Sequence, residues 1–180
     1  MKIYQELLKI ARESIESRFE NAELKVSEAI KKKYSAKQAC FVTLTINGEL
    51  RGCIGSLEAR QELWKDVAEN AQHAAFDDSR FESLSENELK KVKIELSVLT
   101  IPRKIEYKTE KELKKLIKNH GVIIKKGWNS ATYLPQVWED LPDSDEFLSS
   151  LCAKAGLSDD AWKSLDLEVS IYDAVIVKEA

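Results

Sequence analysis

The chain has 180 residues, 43% of them hydrophobic and 33% charged, with 28 basic against 31 acidic side chains for a net charge of -3. Such a chain is globular and long enough for a sizeable core, as one domain or as one domain with a small appended lobe. The charge balance excludes a general electrostatic attraction to nucleic acid or to anionic lipid. Cys40, Cys53 and Cys152 form neither a C-x-x-C pair nor an even framework, which points to a reducing intracellular setting. The N-terminus lacks the apolar core of a signal peptide and no run reaches membrane-spanning length, so a cytoplasmic protein without a membrane partner is expected.

Residues 2–19 carry Tyr4, Leu8, Ala11, Ile15 and Phe19 at helical spacing, and a lysine-rich helix or helical turn continues over 22–34. Cys40, Val42, Leu44 and Ile46 alternate with Phe41, Thr43 and Thr45 as a strand. Leu63, Trp64, Val67, Ala68, Ala71 and Ala75 then predict an amphipathic helix with His73 on its polar side. After the polar turn Asp77–Phe81, Ser85 and Glu88 form a capping box, and Val92–Val98 alternate as a strand that stops at Pro102. A second capping box, Thr109 with Glu112, opens a helix that Gly121 is placed to close. Val122–Ile124 and Ala131–Leu134 read as a strand pair around Gly127-Trp128-Asn129, followed by an acidic loop. Asp143 with Glu146 opens a helix closed by Gly156, Ser158 caps a short turn, and one strand runs over 167–177. Helices mixed with hairpins predict an α+β fold, mainly antiparallel sheet with flanking helices.

Chemistry concentrates in Asn47–Ser56. Asn47-Gly48 is the preferred dipeptide of a two-residue turn with two positive φ angles. An unbroken hairpin would set Ile46 opposite Glu49, Leu44 opposite Arg51 and Val42 opposite Cys53. Arg51 and Cys53 would then share the aliphatic face of the strand. A thiol suits that face, whereas an arginine there needs an acceptor or an open cleft. Gly52 and Gly55 within a strand signal a bulge or a close approach by backbone or ligand.

Cys53 reads as a nucleophile, a redox thiol or a metal ligand, with Arg51 and the following helix as activating charges, or else as a small core residue under a glycine-rich turn. Arg51 and Arg80 can together bind a carboxylate or phosphate, or serve as structural ion pairs, Arg80 with Asp77 or Asp78. Thr132, Tyr133 and Gln136 offer neutral hydrogen-bonding groups for another wall of a cleft. Trp128 reads either as a ligand cover or as a packed aromatic. His120 is placed to meet the last carbonyls of its helix. Cys40 and Cys152 lie on apolar stripes, nothing has metal-ligand spacing, and neither metal nor cofactor is expected.

Six segments in order, Phe41-Val-Thr-Leu44, Leu50-Arg-Gly-Cys-Ile-Gly55, Asp78-Ser-Arg-Phe81, Ser97-Val-Leu99, Ala131-Thr-Tyr-Leu-Pro-Gln-Val137 and Lys154-Ala-Gly-Leu157, make the chain resemble the AMMECR family, also called AmmeMemoRadiSam system protein A. The resemblance implies a single AMMECR-type domain over 1–180, in two unequal lobes around a cleft with the Arg51–Gly55 segment near it. It also implies company, a Memo-like protein and a radical-SAM protein, and names no reaction. The leading expectation is an enzyme or enzyme subunit with Cys53 and Arg51 in a cleft, acting on a small anionic or nucleic-acid-derived substrate. The alternative is a non-catalytic partner module for a Memo-like or radical-SAM protein. RNA binding ranks last, because no basic stripe with interleaved aromatics is present.

Overall fold

A computed structural model describes residues 4–180. They form two compact units, a larger one built from the chain up to Leu99 together with Val175–Ala180, and a smaller one over Thr100–Ala174. Each unit has its own four-stranded sheet, and the described pairings within both are antiparallel.

The larger unit opens with helix α1 (Gln5–Phe19); the first two positions of the helix expected over 2–19 lie outside the described residues. The helix expected over 22–34 forms only as α2 (Glu28–Lys33), where Ser27 accepts the Ile30 N–H and gives it a start. Strands β1 (Cys40–Ile46) and β2 (Glu49–Gly55) make the hairpin, and Asn47 and Gly48 both have positive φ, 52° and 84°. Helices α3 (Leu63–Phe76) and α4 (Glu86–Leu89) precede β3 (Lys93–Leu99). Helices α1 and α3 cover the face of the sheet carrying Cys40, Val42, Leu44, Ile94, Leu96 and Val98, all buried. The Ser14 hydroxyl donates to the Ala68 carbonyl at 2.7 Å and locks the two helices together.

The smaller unit runs through β4 (Arg103–Lys104), α5 (Glu110–Ile117), β5 (Gly121–Lys126), β6 (Asn129–Tyr133), α6 (Val137–Asp140), α7 (Ser144–Lys154) and β7 (Glu168–Tyr172). Its sheet order is β4-β7-β5-β6, and Phe147 of α7 stacks on Trp138 with ring centroids 3.8 Å apart. The single strand expected over 167–177 is two strands in different sheets. The chain breaks at Asp173, and β8 (Ala174–Lys178) returns to the first unit at the end of the order β2-β1-β3-β8. Gly121 does not close α5, because Asn119 takes the left-handed conformation there, φ 66°. Gly121 instead begins β5, where any Cβ would overlap the Tyr172 ring. The expected acidic loop contains the short α6.

One departure matters most for function. The hairpin pairs Ile46 with Glu49 and Thr45 with Leu50, then shifts, so that Leu44 faces Gly52, Thr43 faces Cys53 and Val42 faces Ile54. Arg51 is the extra residue of a β-bulge and has no partner in the ladder. A bulge re-aims the side chains that follow it. Gly52, not Cys53, turns toward α3, and a Cβ on Gly52 would overlap the Ala74 carbonyl oxygen. Backbone cannot yield there as a flexible side chain would. Gly52→Ala is therefore expected to cost about 3 kcal/mol or more, at or above the upper end of ordinary overpacking, whereas Gly48→Ala, strained only in φ, should cost about 1–2 kcal/mol. Urea unfolding of the two variants measures the difference, and equal losses would refute the close approach.

Candidate functional site

The site of the larger unit grows out of the bulge. Strand β2 is a sheet edge, so the Cys53 N–H and C=O point away from β1 and need partners elsewhere. The turn after α3 supplies them. The buried Asp78 carboxylate accepts the Cys53 N–H at 2.9 Å, and Arg80 Nη2 donates to the Cys53 carbonyl at 3.3 Å. The two side chains are themselves joined, Arg80 Nε to Asp78 Oδ1 at 3.0 Å and Nη2 to Oδ2 at 2.7 Å, and the Arg80 N–H also donates to Oδ1 at 3.2 Å. One ion pair thus closes both outward peptide groups of one residue. The Arg80 fork, helped by the Cys53 and Arg80 N–H groups and opposed by burial, holds the Asp78 carboxyl well below the usual carboxylate range.

A second clamp sits one bulge residue away. Arg51 donates through Nε to Glu88 at 2.7 Å, and through Nη2 to Glu88 at 3.2 Å and to the Glu82 carbonyl at 2.8 Å. Glu88 is also the acidic member of the α4 capping box, accepting the Ser85 N–H and hydroxyl, each at 2.9 Å. A single carboxylate therefore both starts α4 and anchors it to β2. The Phe81 ring lies beside both guanidinium groups, 5.8 Å from that of Arg51 and 5.5 Å from that of Arg80. Arg51 Nη1 is buried and has no partner among the described residues.

Cys53 itself stands on the sheet face away from α3, with its Sγ 3.3 Å from the Thr43 hydroxyl and its side chain half-buried. The other two thiols are core groups. Burial, reinforced by the neighbouring Asp66 carboxylate, pushes the Cys40 thiol well up, and burial raises that of Cys152. Asp66 also accepts the Cys40 N–H at 3.0 Å, tying α3 to β1. Cys40 and Cys53 lie on opposite faces of one sheet and Cys152 in the other unit, and no group of three His, Cys, Asp or Glu side chains is placed to hold a metal among the described residues.

Of the residues singled out in the sequence, Arg51, Gly52, Cys53, Gly55 and Arg80 come together in the larger unit. A Cβ on Gly55 would overlap the Cys40 carbonyl and the Phe41 ring. Thr132 and Gln136 belong to the smaller unit. There the Thr132 hydroxyl donates to the Val122 carbonyl at 3.0 Å and lies 3.0 Å from the Tyr172 hydroxyl, which burial pushes up to about 12. The Lys154 ammonium donates to the Thr132 carbonyl at 2.9 Å, and Gln136 stands at the start of α6. Trp128 is fully exposed at a hairpin tip. His120 does not meet helix carbonyls through its ring; Nδ1 lies 2.7 Å from the Asp173 carboxylate, because the chain turns away at Asn119. Thr43, Asp78, Phe81 and Glu88 are the site neighbours that the sequence reading did not select. The capping box and the Asp-Ser-Arg-Phe turn were visible, but their attachment to β2 joins residues 25 and 37 positions apart. A groove of about 970 Å³ in the same unit, lined by Leu8, Arg12, Phe19, Leu89 and Val92 among others, contains none of Arg51, Cys53 or Arg80.

An α+β chain of two units, with a glycine-rich Arg-Gly-Cys edge strand clamped by two ion pairs, is the class that fold and site define. The AMMECR1 family model matches residues 8–177, and the chain belongs to that family. Protein NEQ441 of Nanoarchaeum equitans is 40% identical over 177 residues, spanning 96% of this chain and 98% of that protein. A protein of Aquifex aeolicus is 36% identical, spanning 97% and 92% of the two chains, and Protein SSO0193 of Saccharolobus solfataricus is 38% identical, spanning 96% and 80%. The crystal structure of uncharacterized protein PH0010 from Pyrococcus horikoshii matches with a TM-score of 0.87 at 33% identity, covering 97% of this chain and 90% of that one.

The Arg51–Glu88 pair makes a pH-dependent contribution of defined sign. Its hydrogen bonds hold the Glu88 carboxyl at about 2 against an ordinary 4.5. Because folding lowers the value, the stabilisation is fully present above the ordinary value and is lost as pH falls through the folded one. Glu88→Gln is expected to lose roughly 1.5–3 kcal/mol at pH 7, the range for a hydrogen bond to a charged group. The gap to the parent should close between pH 4.5 and about 2. Chemical denaturation across that range checks it, and a gap independent of pH would refute the assignment.

Proposed function

We propose that the Arg51–Gly55 strand, with Thr43, Asp78 and Arg80, is the thiol site of an enzyme or enzyme subunit acting on a small anionic or nucleic-acid-derived substrate. The observation that carries this reading is the contrast among the three thiols. Cys40 and Cys152 are sealed in the two cores, while Cys53 keeps a thiol that is only part-buried on a peptide held at both its N–H and its C=O. A fixed backbone under an accessible side chain is what a reacting or ligand-holding group requires. Arg51 Nη1 is a buried donor without a partner among the described residues, which supports an oxygen-bearing acceptor at that guanidinium. Arg80, with 54% of its side chain exposed, adds a positive group from the solvent side. Three free cysteines fit a reducing cytoplasmic compartment, and no described helix is long and apolar enough to cross a membrane.

The partner-module reading for a Memo-like or radical-SAM protein draws on a different observation. Trp128 is presented fully exposed on a two-residue turn, and indole side chains are over-represented among binding hot spots. Under that reading, Trp128→Ala abolishes the association and leaves Cys53 chemistry unchanged.

The test is iodoacetamide labelling of the native protein with peptide mass spectrometry. Cys53 is expected to label at least about tenfold faster than Cys40 or Cys152, because only an accessible thiolate reacts. Millimolar phosphate or a nucleoside monophosphate should slow that labelling. Cys53 labelling no faster than the other two removes the thiol site, and labelling indifferent to both anions removes the substrate class. Cys53→Ser should change stability by less than about 1 kcal/mol, since the hydroxyl would be part-exposed and next to the Thr43 hydroxyl, against roughly 1–3 kcal/mol for a sealed one.

A further inference from the structure

Both charges of the Asp78–Arg80 pair touch the peptide of Cys53, the carboxylate at its N–H and the guanidinium at its C=O. Covalent geometry then places each within about 7 Å of the Cys53 sulfur. Opposite unit charges at similar distances nearly cancel, and either one alone would not. Further ion pairs lie in this unit. Arg51 is bound to Glu88 across β2 and α4, Glu95 of β3 lies 2.7 Å from Lys178 of β8, and Asp77 lies 3.8 Å from Arg18 of α1. Glu82 is exposed and presents its carbonyl to Arg51.

We infer that Asp78 and Arg80 are a matched pair of positioning residues that set the reactivity of the Cys53 thiol, each offsetting the charge the other brings to the clamp. This rests on the thiol site proposed above and goes beyond it, because it assigns the two charges opposite effects. A clamp serving only to seal an edge strand has no such polarity. Loss of either member would loosen the strand in the same way. An electrostatic pair gives opposite responses, since removing the carboxylate leaves a bare cation that favours the thiolate and removing the guanidinium leaves a bare anion that disfavours it.

The experiment compares Asp78→Asn, Arg80→Gln, Arg80→Lys and the Asp78→Asn/Arg80→Gln double variant. Asn retains an oxygen to accept the Cys53 N–H, and Lys retains the charge. The readouts are the pH profile of iodoacetamide labelling at Cys53 and, independent of reagent access, the 13Cβ titration of Cys53 in selectively labelled protein. Asp78→Asn is expected to label about three- to tenfold faster at neutral pH with its profile moved to lower pH, and Arg80→Gln slower by a similar factor with its profile moved to higher pH, as for one uncompensated charge a few ångströms away. The double variant and Arg80→Lys should return toward the parent. Displacements in the same direction, unchanged profiles, or an Arg80→Lys variant as displaced as Arg80→Gln would overturn the inference. Should Asp78→Asn not fold, the Arg80→Gln and Arg80→Lys pair decides alone, because that side chain is half-exposed. If parent Cys53 resists labelling the thiol site itself fails, while the 13Cβ titrations still show whether the charges act in opposite senses.

Discussion

Gly52 lies against the Ala74 carbonyl so closely that no side chain fits, and the register of β2 follows from that contact. For Gly52 to face α3, the strand must carry one residue more than β1 offers partners for, and Arg51 is that residue. The bulge lifts a guanidinium out of an aliphatic face where its burial without an acceptor would be costly. It also turns Cys53 to the opposite face, beside Thr43. Without the bulge, the thiol would lie among Val42 and Leu44 and would be one more core cysteine like Cys40.

The edge position of β2 then dictates what surrounds the thiol. Outward peptide groups on an edge strand recruit partners or invite another strand. Here the loop between α3 and α4 fills that role with two ion pairs bracketing Phe81, one at Arg51 and one at Cys53. The same residues serve two levels of structure. Glu88 caps a helix and holds a strand, and Asp78 closes a turn around Arg80 and holds the Cys53 peptide. Folding energy and site geometry are thus supplied by the same carboxylates. The clamp that closes the edge strand is therefore also what fixes the backbone carrying Cys53.

Much of this was legible in the chain. Helical spacing marked α1 and α3, the Asn47-Gly48 turn marked the hairpin, and Ser85 with Glu88 marked the α4 cap, because each depends on neighbours a few residues apart. The Arg-Gly-Cys-Ile-Gly stretch declared a bulge or close approach through its glycines, and the need of Arg51 for an acceptor followed from charge alone. Where the reading failed, a distant partner had intervened. The strand expected over 167–177 divides at Asp173 because its halves find partners in different sheets, β5 and β4 for one and β3 for the other. Gly121 was assigned to a helix end, but the Tyr172 ring is what requires a glycine there.

The sequence by itself determined the α+β class, the two buried cysteines, the hairpin and the stretch in which a cation, a thiol and two glycines stand together, since local periodicity and turn chemistry are sufficient for these. Tertiary structure decided the face on which Cys53 stands, the identity of the acceptor for Arg51, and the attachment of Asp78 and Arg80 to the Cys53 peptide. The physical reason is that a strand has a period of two, so one extra residue exchanges its faces, and whether that residue is extra depends on a helix backbone more than 20 positions away.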